Sequence, residues 1–111
     1  MNIVFRNTKL EKVFNSEKEL HRNYGNDNGQ TIMRRMLVLR AAQTLADVSA
    51  LPPERRHALT GSSKGEFAVD LKHPFRLVIK PNHNPLPLRE DGGIDLNKVT
   101  DIIILDVEDY H

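Results

Sequence analysis

Two hydrophobic periods follow each other in the first quarter of the chain. Ile3 and Phe5 are two positions apart, and this two-residue period predicts a short first strand. Between Lys9 and Tyr24 the apolar residues recur four positions apart, which predicts a helix. Two capping-box spacings, one beginning at Thr8 and one at Ser16, indicate that this helix is broken into two.

A second helical segment is predicted to begin with Asp27 as its N-cap and to run to about Val48, before Pro52-Pro53. Its apolar residues cover more than one face, so we expect the helix to be deeply buried or shared with a partner protein. These residues are Ile32, Met33, Met36, Leu37, Val38, Leu39 and Leu45.

The second half of the chain is strand-like. Alternation from Phe67 to Leu71, the turn signal His73-Pro74 and the run Phe75–Lys80 predict two antiparallel strands. Residues 81–93, rich in Pro and Gly, predict a long exposed loop. Thr100–Val107 is apolar on both faces in its middle, which favours a central strand. The predicted fold is α+β, with an N-terminal strand and two helices packed on an antiparallel sheet of about four strands.

Composition narrows the class of protein. We expect residues 1–111 to form a single domain, and the absence of Cys excludes disulfides and fits a reducing compartment. The sequence shows no signal peptide and no apolar stretch of membrane-spanning length, so we expect a soluble cytoplasmic protein.

Charge is divided unevenly along the chain. Residues 1–89 hold 15 Lys/Arg and 8 Asp/Glu, a net charge of +7, whereas residues 90–111 hold 1 and 7, a net charge of −6. A basic body is compatible with a polyanionic partner, although ordinary solvated charges explain the composition equally well.

Candidate chemistry is concentrated in Asp109-Tyr110-His111, which follows the last predicted strand. We expect the sheet to hold this tripeptide, with Asp109 and His111 on one side and Tyr110 on the other. His57, at the entry to the strand region, is a second candidate because imidazole titrates near neutrality. Arg76 is either an exposed-face residue or a planar cation suited to phosphate oxygens.

Other kinds of site have less support. His57, Asp109 and His111 are possible metal ligands, but no HxH, HExxH or carboxylate-cluster spacing favours a metal. Residues 61–65 have the G-x-S-x-G spacing, but a strand and not a helix is predicted to follow them, which argues against a nucleophile elbow and a Ser-His-Asp hydrolase. The remaining histidines at positions 21, 73 and 83 are interpreted as a helix, a turn and a loop residue.

The combined pattern resembles the HigB-like toxins of the RelE/ParE superfamily of bacterial toxin–antitoxin systems. The resemblance spans nearly the whole chain and rests on an ordered set of motifs. These are His57-x-Leu59-Thr60-Gly61, Gly65-x-Phe67-Ala68-Val69-Asp70-Leu71-x-His73-Pro74-Phe75-Arg76-Leu77, Gly92-Gly93-Ile94-Asp95-Leu96 and Val107-x-Asp109-Tyr110-His111.

The resemblance implies a ribosome-dependent mRNA endonuclease that needs no metal or other cofactor. Its site would lie on the sheet face opposite the helices and comprise His57, Arg76, Asp109, Tyr110 and His111. The two histidines would transfer protons, in an order left open, and Arg76 would neutralise the phosphorane. Tyr110 would stack on or hydrogen-bond to a base, and Asp109 would orient its neighbours.

The resemblance also implies partners: an antitoxin of the helix-turn-helix type, the ribosome and mRNA, with operator DNA reached only through the antitoxin complex. Lys64, Arg76 and Lys80 are the predicted nucleic-acid-binding residues. Some relatives have Lys where this chain has Thr60, and Lys64 is the candidate to compensate.

Two other readings remain open. Thr60 and the modest net charge are compatible with an antitoxin-binding, operon-regulating module whose cutting activity is weak or lost. The third reading is a ParE-like gyrase poison, because that branch of the superfamily shares the fold.

Overall fold

A computed structural model of the protein describes residues 1–110. The elements in chain order are β1 (Asn2–Phe5), α1 (Thr8–Phe14), α2 (Glu17–Tyr24), α3 (Asn26–Ala41), β2 (His57–Ala58), β3 (Phe67–Asp70), β4 (Phe75–Pro81) and β5 (Asp101–Asp109). Single 3-10 turns occur at Leu45–Asp47, Gly61–Ser63 and Leu96–Lys98.

The strands form one sheet in the order β1-β5-β4-β3-β2. β1 runs parallel to β5 and the other neighbours are antiparallel. The central place predicted for β5 is confirmed, because it pairs with β1 on one edge and β4 on the other. The sheet has one strand more than the four predicted: β2 has only two residues, too few to show a hydrophobic period.

All three helices pack on one face of the sheet. Alternate residues of β3, β4 and β5 point into this core. Its most buried members are Ile32, Leu39, Leu45, Leu77, Ile79, Ile102 and Ile104. The opposite face, called here the outer face, carries a smaller apolar cluster of Leu59, Ala68, Val78 and Leu105. The predicted α+β fold with helices on one side is confirmed.

The break between the first two helices follows the capping residues. The Ser16 hydroxyl accepts a hydrogen bond from the Glu19 amide at 3.1 Å, as its spacing predicts. At α1 the cap is Asn7, whose Oδ1 accepts from the Leu10 amide at 2.8 Å, so the prediction of Thr8 as cap is wrong. Asn is a stronger N-cap than Thr, and Asn7 lies one residue before Thr8.

The predicted bounds of α3 are also wrong. The helix begins at Asn26 after Gly25, which has φ +84°, and it ends at Ala41, well before Val48. Leu45 and Val48 are fully buried. Their 3-10 turn is fixed where the Leu45 amide donates to the Val99 carbonyl at 2.9 Å. Burial of these two side chains therefore turns the chain out of the helix.

Two buried polar residues of α3 fix the position of the β3–β4 turn. The Arg35 Nε donates to the Asp70 carbonyl at 2.7 Å, and the Asn28 Oδ1 accepts from the Lys72 amide at 2.9 Å. Both side chains satisfy main-chain groups that the sheet leaves unpaired. The outer-face residues near this turn are thereby anchored to the helix layer.

Replacing Arg35 should measure this anchoring. We expect Arg35→Ala to lower the free energy of unfolding by about 2 kcal/mol, because a charged donor to the Asp70 carbonyl is lost. Urea denaturation measures the change. Arg34→Ala is the matched control, because Arg34 is exposed on the same helix and should change stability by less than about 0.5 kcal/mol. Equal effects of the two variants would contradict the anchoring role.

Candidate functional site

A row of charged side chains crosses the outer face. The sheet register places Asp70 opposite Arg76, and Arg76 opposite Glu108. Arg55 joins the row through its side chain, with Nε and Nη2 donating to the two Asp70 carboxylate oxygens at 2.7 and 2.9 Å. Arg55, Asp70, Arg76 and Glu108 are called the charged row.

Opposite charges alternate along the charged row. Arg76 Nη2 lies 3.1 Å from Glu108 Oε1, and Arg55 forms its two-pronged pair with Asp70. The hydrogen bond and negative charge of Asp70 raise the pKa of the Arg55 guanidinium, with a smaller contribution from Tyr110. Each guanidinium therefore has a carboxylate partner within the protein.

Arg76 is the more enclosed of the two cations. Its side chain is only 20% exposed, compared with 42% for Arg55. The Arg76 Cζ lies 5.2 Å from the centre of the Tyr110 ring, within range of a cation–π interaction. Its Nε is buried and has no hydrogen-bond partner within residues 1–110. A buried donor without a partner costs free energy unless another group, such as an anion, satisfies it.

Tyr110 is held at the end of the sheet by both main chain and ring. Its amide donates to the Pro74 carbonyl at 3.2 Å. Its ring also meets the His73 ring edge-on, with the centroids 6.2 Å apart and the planes at 85°. The residue as a whole is nevertheless 40% exposed, which leaves room for another planar group beside it.

Asp109 occupies a different position. It pairs with Phe75, whose side chain packs against the helix-side core, whereas Tyr110 lies on Arg76 at the outer face. The predicted alternation of Asp109 and Tyr110 is therefore confirmed. The prediction for His111 lies outside the described residues.

His57 opens β2 and pairs with Ala68 of the outer-face cluster. Its Nδ1 lies 2.7 Å from the Arg55 carbonyl oxygen. A carbonyl oxygen only accepts, so Nδ1 must carry the proton, and in the neutral imidazole Nε2 has the lone pair. Since neighbouring strands lie about 4.8 Å apart, the main chains of β2 and β4 are separated by roughly 10 Å.

The predicted nucleic-acid-binding lysines share a hollow. Lys64 and Lys80 both line a depression of about 350 Å³ together with His83. Thr60 lines an adjoining hollow of about 610 Å³, whose rim includes the exposed side chains of Leu86 and Leu88. Lys64 lines both hollows, so it lies near the position of Thr60.

The structure thus brings some of the predicted residues together and separates others. Arg76 and Tyr110 are in contact, and His57 lies on the same sheet two strands away. Sequence reasoning missed Arg55, Asp70 and Glu108 and treated His73 only as a turn residue. Glu108 alone had a signal, because it lies two residues before Tyr110 and a strand puts both on one side.

Two wider properties of residues 1–110 bear on the site. They contain no group of three or more His, Asp or Glu side chains arranged to hold a metal ion. None of their helices is both long and apolar enough to cross a membrane.

Sequence comparison finds no relative. No protein-family model matches the chain, and no curated protein matches it. Among solved structures, it is similar to the YoeB/ParE toxin from Agrobacterium tumefaciens, with a TM-score of 0.60, 9% identity and 100% coverage of both chains. The chain therefore has the fold of a RelE/ParE-type toxin, as the resemblance implied.

A double-mutant cycle on Arg76 and Glu108 should detect their coupling. Single and double replacements by Ala, followed by urea denaturation, are expected to give an interaction free energy of about 1 kcal/mol. This value is at the upper end of the interaction free energies of surface ion pairs, because the Arg76 side chain is half-buried beside Tyr110. Arg22 and Glu19, 3.8 Å apart and more exposed, form the control pair. Their coupling should stay below about 0.5 kcal/mol; a larger value than for Arg76 and Glu108 would contradict the proposed geometry.

Proposed function

We propose that the chain is the toxin of a type II toxin–antitoxin system, a HigB-like endoribonuclease that cuts ribosome-bound mRNA and so inhibits translation. The observation that carries the proposal is the outer face itself. There Arg76 lies against the exposed ring of Tyr110, on the sheet that also holds His57 with its Nε2 lone pair. The likeness of the fold to a YoeB/ParE toxin supports it.

RNA cleavage by the adjacent 2′-OH requires three functions. A base removes the hydroxyl proton, a cation stabilises the charge on the phosphorane oxygens, and an acid protonates the leaving 5′ oxygen. His57 fits the role of the base, because the atom able to accept a proton is Nε2. Arg76 fits the role of the cation, since its guanidinium is fixed by the sheet and by Tyr110.

His111 is proposed as the acid, on the family resemblance alone. The two imidazoles exchange roles if the substrate binds in the opposite orientation. Asp109 is proposed to orient the end of β5, from the side of the sheet that faces the helices. Proton transfer by such groups contributes about 10²–10⁴-fold to the rate, and the chemistry needs no metal or other cofactor.

Single-stranded RNA suits this surface better than a duplex. Unstacked bases bind to aromatic rings, and Tyr110 offers a partly exposed ring next to a cation. Arg76 and Lys80 lie four residues apart on β4, roughly 13 Å along the strand. With Lys64 beside Lys80, the positive charge extends over more than one nucleotide.

The proposed partners follow from the proposed class. The ribosome would present the mRNA, and a helix-turn-helix antitoxin would bind the toxin and connect it to operator DNA. All of these encounters would take place in the cytoplasm.

The charged row also favours a second candidate, an antitoxin-binding and operon-regulating module with weak or lost cutting activity. Both guanidinium groups are already paired with carboxylates, and Thr60 stands where some relatives have Lys. A ParE-like gyrase poison remains the third candidate, since the structural neighbour's name includes that branch.

Expressing the chain alone should separate the candidates. We expect growth arrest and new mRNA 5′ ends, which appear in a purified translation system only when ribosomes are present. His57→Ala should reduce cleavage by about 10²–10⁴-fold, because the proposed base is lost. His21→Ala is the matched control, since His21 lies on α2 in the helix layer and should leave cleavage unchanged.

The contrary outcomes are distinct. Full cleavage by the His57→Ala variant would remove His57 from the site. Harmless expression of a folded protein would favour the regulatory module. DNA breaks alongside intact mRNA would favour the gyrase poison.

Glu108 should compete with RNA for Arg76. We expect Glu108→Gln to tighten binding of a short 2′-O-methyl single-stranded RNA about fivefold, equivalent to an ion pair worth ~1 kcal/mol. Fluorescence anisotropy at fixed ionic strength measures the affinity. Glu90→Gln makes the same charge change in the exposed loop after β4 and should have a smaller effect. Weaker binding by Glu108→Gln would mean that Glu108 positions Arg76 for RNA.

A further inference from the structure

We infer that Arg55 is a positioning residue for His57. The main-chain carbonyl of Arg55 holds the His57 imidazole in the Nδ1–H tautomer. The hydrogen bond from His57 Nδ1 to this carbonyl measures 2.7 Å. It leaves Nε2 as the ring atom that can accept a proton from a substrate. The catalytic use of Nε2 rests on the proposed function, whereas the tautomer can be observed without it.

The backbone of Arg55 is unusual. With φ +46°, it is the one non-glycine residue among residues 1–110 in the left-handed region. This conformation is unfavourable for a residue that has a Cβ atom. It persists only where surrounding contacts determine it, and such positions often occur near functional groups.

Contacts on both sides of Arg55 hold this conformation. Its amide donates to the Leu51 carbonyl at 3.0 Å, and the next amide, that of Arg56, donates to the Ser49 carbonyl at 2.9 Å. Its side chain is fixed by the two hydrogen bonds to Asp70. The peptide group whose carbonyl faces His57 is therefore fixed between a tight turn and the sheet.

Asp70, which binds the Arg55 guanidinium, is itself held in place by main-chain hydrogen bonds. Its own carbonyl accepts from Arg35 of α3 at 2.7 Å, and its amide donates to the Glu54 carbonyl at 2.8 Å. A continuous set of hydrogen bonds thus runs from the helix layer through Asp70 and Arg55 to the His57 ring. Histidines that transfer protons or bind metals commonly have their tautomer set by such a bond to the second ring nitrogen.

The test is a long-range ¹H–¹⁵N NMR spectrum of the imidazole nitrogens, recorded on the whole protein at a pH where His57 is neutral. In the wild type we expect His57 to show a protonated Nδ1 and an unprotonated Nε2. In Arg55→Ala and Asp70→Asn this predominance should be lost, with the two nitrogen shifts moving towards each other as the tautomers mix. Glu108→Gln is the control, because it removes the other ion pair of the charged row and should leave the His57 shifts unchanged.

Two results would overturn the inference: a wild-type His57 protonated at Nε2, or full retention of the Nδ1–H form in both variants. The backbone amide spectrum reports whether each variant folds. If Arg55→Ala does not fold, Asp70→Asn still decides the test, because it preserves the volume of the side chain.

Cleavage assays separate this inference from the proposed function. If the chain cuts mRNA, both variants should slow cleavage about tenfold or more, yet less than the 10²–10⁴-fold expected for losing the imidazole. No cleavage by a wild type with the expected tautomer would contradict the nuclease and leave the role of Arg55 intact.

Discussion

The arrangement of the outer face depends on the hydrogen bonds of one residue, Asp70. Its carbonyl accepts from Arg35 in the helix layer, its amide donates to Glu54, and its carboxylate holds Arg55. The register places it opposite Arg76. Asp70 therefore connects the buried core to the polar surface and ties the Arg55 guanidinium to the helix layer. A functional group held in this way loses little entropy when a ligand binds.

The same arrangement sets a limit on anion binding. Arg55 and Arg76 are neutralised by Asp70 and Glu108, so the charged row itself holds rigid cations but carries little excess charge. A phosphate that binds here must compete with these carboxylates for the two guanidinium groups. A ligand whose oxygens match the fixed positions of the guanidinium groups therefore binds better than a polyanion that offers only charge. Charge alone gains little where each cation is already paired with a carboxylate. Tyr110 adds a planar surface beside the cation, which suits a nucleotide.

Local signals predicted most of the fold, and tertiary contacts decided the rest. The apolar run at residues 102–105 identified β5, because a strand buried on both faces needs such a run. The end of α3 was missed since it depends on where Leu45 and Val48 pack, which no local pattern contains. For the site, alternation along β5 gave the direction of Tyr110 and implied that of Glu108. Arg55 had no sequence signal, because its role depends on a left-handed backbone and a partner 15 residues away.

The outer face is proposed to bind single-stranded RNA. NMR titration of the ¹⁵N-labelled protein with a non-cleavable 2′-O-methyl RNA tests this binding surface. We expect the amide shifts to concentrate on β4 and the end of β5, around Arg76, Lys80 and Tyr110. Shifts confined to α1 and α2 on the helix side of the sheet would contradict it.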